Sequence, residues 1–198
     1  MPLDAEALLR ESTRRHGIHL SVLVADTGVW ASPEVHRRLV AENGTGAFFP
    51  ATRRYREGDG EKRGEVREGV RLDDNSYAKH AIKQAVGVGR HGAPGFEACH
   101  IWPRSCYDPR YHTAVANLVL LPRALAGLSD HDDEISAALR YRAYELYGWH
   151  PAEAAAPERP AFYPDAWRPP EPFAAAVERA LRGRKAGHTR AAVSALDG

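Results

Sequence analysis

Between residues 99 and 132 stand three imidazoles, His100, His112 and His131, two thiols, Cys99 and Cys106, and the carboxylates of Asp130 and Asp132. A neutral imidazole, with an ordinary pKa near about 6.5, accepts a proton at physiological pH, and general-base help of this kind contributes about a hundredfold to ten-thousandfold in rate. Arg104, Arg110 and Arg123 flank the same stretch and can hold phosphate oxygens through paired hydrogen bonds. The residues also admit a second arrangement. Cys99, Cys106, His112 and His131 are two thiols and two imidazoles, a donor set that suits tetrahedral structural zinc, although their spacings do not match a standard zinc finger. His112 could point at such a site or be an ordinary surface histidine. Trp102 could wall the pocket of His100 or simply pack in a hairpin.

The order Cys99-His100-Ile101-Trp102-Pro103, then Asn117-Leu118-Val119-Leu120-Leu121-Pro122, then Ser129-Asp130-His131-Asp132 resembles the HNH (ββα-metal) nuclease motif. The resemblance spans 96–149, about a quarter of the chain. It implies that His100 ends one strand of a bent hairpin and is the general base that activates a water against a scissile phosphate. It makes Asn117 the second signature residue, holding the loop that carries the base, and it implies one divalent cation on the phosphate and the leaving oxygen. The sequence departs from the family pattern in two places. Cys99 stands where many members have an acidic metal ligand, and a thiolate favours zinc over magnesium. Leu125, Ala126 and Gly127 offer no donor where the third ligand usually lies, so His131, with Asp130 and Asp132 beside it, is the nearest strong candidate. Asn117 itself holds the ion in some relatives. The expected metal ligands are therefore Cys99 and His131, and the expected ion is Mg²⁺ or Mn²⁺, with Zn²⁺ as the alternative.

Elements of known type must position these groups. The pattern predicts a helix over 3–16 that stops at Gly17, and the alternation of Ile18, Leu20, Val22 and Val24 predicts a strand. Ser32 and Pro33 open a helix that Asn43-Gly44 ends. The stretch 53–71 is Arg, Lys, Glu and Gly with almost nothing apolar, and reads as a mobile loop or exposed ribbon whose basic residues are largely cancelled by acidic ones. Asp73-Asp74-Asn75-Ser76 can cap a helix with Ala78, Ile82 and Ala85 inward. Phe96–Ile101 and Asn117–Leu121 are the two strands of the motif, separated by a loop. Pro122 starts a helix through Leu128, and Ser129-Asp130 can cap a further one carrying Ile135, Leu139, Ala143 and Leu146 on one face. Beyond Trp149 comes an Ala, Pro and Glu rich arm, then a short helix from Phe173 to Leu181 and a basic tail with Arg179, Arg182, Arg184, Lys185 and Arg190 that could anchor DNA.

With 198 residues, 43% of them apolar, the chain has material for a real core. No stretch approaches the apolar length of a membrane span, and the two cysteines suit a reducing compartment, so a cytoplasmic protein with no membrane partner is expected. A formal charge of +1 advertises no global field for nucleic acid, which leaves recognition to local patches. The sequence thus predicts an α+β protein with an HNH-like ββα core over 91–150, an N-terminal helix and strand segment over 1–90, and a C-terminal arm over 151–198. The resemblance implies a metal-dependent endonuclease on duplex DNA, of restriction or host-defence type by analogy, with a homodimer to cut both strands. Two alternatives stand beside it: an inactive HNH-derived DNA-binding or interaction module with structural zinc, and a toxin-type nonspecific nuclease acting on RNA or DNA.

Overall fold

The computed structural model describes residues 4–89, 91–102 and 104–183. Pro103 of the motif and Arg184, Lys185 and Arg190 of the basic tail lie outside the described residues. The architecture is mixed α+β. Helices α1 (Ala5–Arg15), α2 (Leu20–Thr27) and α3 (Pro33–Asn43) precede strands β1 (Thr52–Arg54), β2 (Val66–Arg67) and β3 (Val70–Asp73) and helix α4 (Ser76–Ala85). Then come β4 (Phe96–His100), β5 (Leu118–Pro122), two short helical turns α5 (Arg123–Ala126) and α6 (Leu128–His131), and the long α7 (Asp133–Tyr147). Residues 175–183 are again helical.

β5 is the strand on which the interior is built. All of Leu118, Val119, Leu120 and Leu121 are buried, because successive side chains point to opposite faces and both faces are covered. Leu118 and Leu120 join one apolar cluster with Leu39, Phe48 and Ile82, while Val119 and Leu121 join another with Val24, Trp30, Ile135 and Leu139. The first cluster also takes in Val177 and Leu181 of the last helix, so the three stretches of the chain share their cores. β4 pairs antiparallel with β5, from Phe96 against Pro122 to His100 against Leu118, and among the described strands it has no other partner. Its second edge is free to line a cleft.

The expected strand at residues 18–24 is instead helix α2. Leu20, Ser21, Val24 and Ala25 are the buried positions, which is a helical spacing, whereas Ile18 and Val22 of the alternating set are exposed. Alternation over so few residues was met by Leu20 and Val24, four apart and therefore on one helix face. Ser32 caps α3 as the sequence implies, its hydroxyl accepting from the Glu34 N–H, and Gly44 closes it at φ 74°. The second cap differs. Asp132, and not Ser129 or Asp130, caps α7, accepting from the Ile135 N–H, and its other oxygen pairs with Arg10.

The charged stretch after residue 52 is an ordered ribbon. β1 runs parallel to β3 and β2 antiparallel to it, so that Arg54 lies beside Asp73. The Arg53 guanidinium grips both oxygens of Glu61 at 2.8 and 2.5 Å, and Arg67 holds Glu65 at 2.9 Å. The Arg53 hydrogen bonds first, and then one from the Arg56 N–H, hold the Glu61 carboxyl at a pKa of about 2. The Pro-rich arm packs against the body: the Arg168 N–H donates to the Ala25 carbonyl, the Glu171 N–H donates to the Trp30 carbonyl, and Trp167 stands edge-on to Trp30.

Candidate active site at the end of the hairpin

The loop from His100 to Asn117 is held from within. Asn117 is fully buried; its amide oxygen accepts from the Trp102 N–H at 3.1 Å, and its amide nitrogen donates to Ser105 Oγ at 2.8 Å and to the Tyr111 carbonyl at 3.0 Å. Ser105 Oγ in turn donates to the Trp102 carbonyl. With both amide hydrogens and one oxygen lone pair spent on the loop and its side chain sealed from solvent, Asn117 acts as a brace.

His100 closes β4, and its Nε2 lies 2.9 Å from the carbonyl oxygen of His112. A carbonyl only accepts, so Nε2 carries the proton and the neutral ring keeps its free lone pair on Nδ1. Burial first, and then the neighbouring charges of His112 and Arg54, lower its pKa to about 4, which keeps the ring in its basic, neutral form at physiological pH. His112 is 0% exposed and stacks on His100, with ring centroids 5.3 Å apart and planes inclined by 18°. Its Nε2 lies 3.0 Å from Asp73 Oδ2, and Asp73, 2% exposed, also accepts from Ser76 Oγ at 2.6 Å and from the Tyr77 N–H at 2.8 Å. Burial alone would raise the Asp73 carboxyl; the hydrogen bonds from His112, Ser76 and Tyr77 outweigh it and hold the group well below the usual carboxylate range. A continuous polar chain thus runs from the start of α4 through Asp73 and His112 to His100.

His100 lines a cleft of about 480 Å³ that runs along the free edge of β4. Glu97, Cys99, Arg54, Asn75, Arg104 and Asp130 share it. Arg104 has the left-handed φ of 66° and Asn75 one of 77°, uncommon for residues with a side chain and frequent at functional turns. Asn75 Oδ1 is buried with no hydrogen-bond partner among the described residues. Trp102 does not line this cleft; it borders the adjoining one with Arg110, Tyr111 and Glu153, where the Arg140 guanidinium lies over its ring.

The other sequence-derived residues fall elsewhere. Arg110 is held by Asp108 and Glu153, both at 2.6 Å, and Arg123 by Glu97, so of the three flanking arginines only Arg104 faces the cleft. His131 is exposed and outside it. Cys99 is buried, with its Sγ against the Ala126 carbonyl, and burial pushes its thiol up to about 11; Cys106 is raised for the same reason. Glu97 is already shared between Lys79 and Arg123. What remains around His100 is the single carboxylate of Asp130, and among the described residues no group of three His, Cys, Asp or Glu side chains could hold an ion. The residues present therefore fit neither a resident divalent cation on Cys99 and His131 nor a zinc on Cys99, Cys106, His112 and His131.

Asp73 and Arg54 are the site members that the sequence did not single out as such. Asp73 reads as a helix cap and Arg54 as one charge in a cancelled run; only the parallel pairing of β1 with β3 brings both to the hairpin, and no local signal announces that pairing. Among the described residues no helix is long and apolar enough to cross a membrane. Neither family models, curated proteins nor solved structures yield a match to the chain.

Proposed function

We propose that the chain is an HNH-like endonuclease that hydrolyses phosphodiester bonds of DNA, with His100 as its general base. One observation carries this reading: the His112 carbonyl fixes the proton of His100 on Nε2, and the neutral ring lines a cleft that also holds Arg54 and Arg104. Nδ1 can then take a proton from water while the guanidiniums receive the anionic diester. The order β4, braced loop, β5 and helical turn supports the resemblance to a ββα core. The cytoplasm is the natural setting for a DNA substrate and two free thiols. Cutting both strands calls for two sites, so a homodimer on DNA is part of the proposal, and a monomeric mass by light scattering in the presence of a duplex would remove that part.

The test is incubation of the pure protein with supercoiled plasmid and, separately, with single-stranded RNA, beside His100→Ala. Nicked and linear plasmid from the parent and none from the variant, with both giving the same circular dichroism, is the expected result. Equal cleavage by His100→Ala would end the assignment. Plasmid binding without any cleavage would leave a nuclease-derived DNA-binding module.

A further inference from the structure

Positive charge in the cleft comes from arginines that the rest of the protein has left unneutralised. Arg53, Arg67, Arg110, Arg123 and Arg142 are each tied to a carboxylate. Arg54 and Arg104, the two that line the cleft beside His100, form no ion pair among the described residues. Neither position is accidental. β1 ends at Arg54 against the 3₁₀ turn 105–107, and Arg104 immediately precedes that turn with a left-handed φ of 66°. The donor set for a divalent cation is missing from the same place, as shown above.

From this geometry we infer that Arg54 and Arg104 supply the charge stabilisation at the phosphate that a divalent cation supplies in relatives of this motif, so that cleavage is independent of added metal. The inference rests on the phosphodiesterase reading. In the step, His100 Nδ1 takes one proton of a water in the cleft. The new O–P bond forms as the P–O bond to the leaving oxygen breaks. That oxygen keeps the electron pair and takes a proton from solvent, and the imidazolium returns its proton to water. One water and one diester become a monoester and an alcohol. The two guanidiniums neutralise charge that grows on the phosphoryl oxygens, which is where fixed donors are worth most.

The experiment uses the full chain, first assayed for bound metal by elemental analysis, on plasmid in EDTA, in Mg²⁺ and in Mn²⁺. Metal-free protein is expected to cut in EDTA at a rate within about threefold of that in Mg²⁺. Arg54→Gln and Arg104→Gln should each lose about a hundredfold or more, the range seen on removal of one transition-state donor. Arg54→Lys and Arg104→Lys, which keep the charge and guard against misfolding, should lose less than the glutamine variants. Cleavage that vanishes in EDTA and returns with Mg²⁺ or Mn²⁺ overturns this inference and leaves His100 as the base. No cleavage under any condition overturns the nuclease reading and this inference with it.

Discussion

The imidazole of His112 stacks on that of His100, with centroids 5.3 Å apart and planes 18° from parallel, and the backbone carbonyl of the same residue accepts a hydrogen bond from His100 Nε2. One residue thus fixes both the tautomer of the proposed base and the face against which it packs. Because burial first, and then His112 and Arg54, hold the His100 pKa at about 4, the proposed base stays neutral well below the ordinary histidine range. Plasmid cleavage should keep its full rate as the pH falls from 8 to about 5.5 and decline only toward 4. A kcat/KM profile with its acid limb at about 6.5 or above would contradict the half-buried, neutral ring.

Asn117→Ala would strip three partners at once, leaving the Trp102 N–H, the Ser105 hydroxyl and the Tyr111 carbonyl to rearrange without water. A buried group left unsatisfied costs about 1–3 kcal/mol, so a loss of about 2–4 kcal/mol is expected after relaxation. Asn117→Asp is the sharper probe. It keeps the acceptor toward Trp102 but turns an acceptor toward the Tyr111 carbonyl, and should be at least as damaging as alanine. Urea midpoints measure both, and an Asp variant as stable as the parent would disprove the brace.

Much of the hairpin is visible in the chain itself. Ser32-Pro33, Gly44 and Gly148 mark helix ends through local backbone chemistry, and β5 shows as a run of four apolar residues. Ile18 to Val24 misleads because a short apolar run satisfies period two and period four together. The brace Asn117 is marked by its place before β5, whereas Asp73 and Arg54 are brought in by pairing between strands that are 15 or more residues apart, which no window of sequence encodes. The expected ligands lie apart for a different reason. Cys99 and His131 were chosen by chemical type, but Cys99 is buried in the cleft wall and His131 is exposed outside the cleft.

Asp73→Asn tests the chain behind the base. The change keeps the carbonyl oxygen but removes the charge that faces His112 and the N-terminal end of α4, a favourable place for an anion. Stability should fall by about 2–4 kcal/mol at pH 7. Cleavage should fall further than unfolding explains, since His112 carries the carbonyl that aims His100. Asp73→Asn with unchanged kcat at a temperature where it is fully folded would separate Asp73 from the base and leave it a helix cap alone.

A second buried histidine makes acid sensitivity a property of the fold itself. His36 packs against Tyr147 and against Gly46, where an added Cβ would lie 2.7 Å from its Nδ1, and burial lowers its pKa from 6.5 to about 4. The unfolded chain therefore binds a proton below about 6.5 that the folded chain refuses until about 4, so stability is present above this window and drains away through it as the pH falls. The full shift is worth about 3 kcal/mol. Asp73 acts in a lower window, because its depressed carboxyl keeps its contribution until the pH drops below the ordinary carboxylate range. Acid unfolding should accordingly begin with the histidines, not the carboxylates. Urea midpoints should show roughly 2–3 kcal/mol of the loss between pH 7 and 4.5 arising at His36. His36→Leu, though less stable at pH 7 for want of the Tyr147 contact, should lose correspondingly less over that interval; an undiminished pH dependence in the variant would place the acid sensitivity elsewhere.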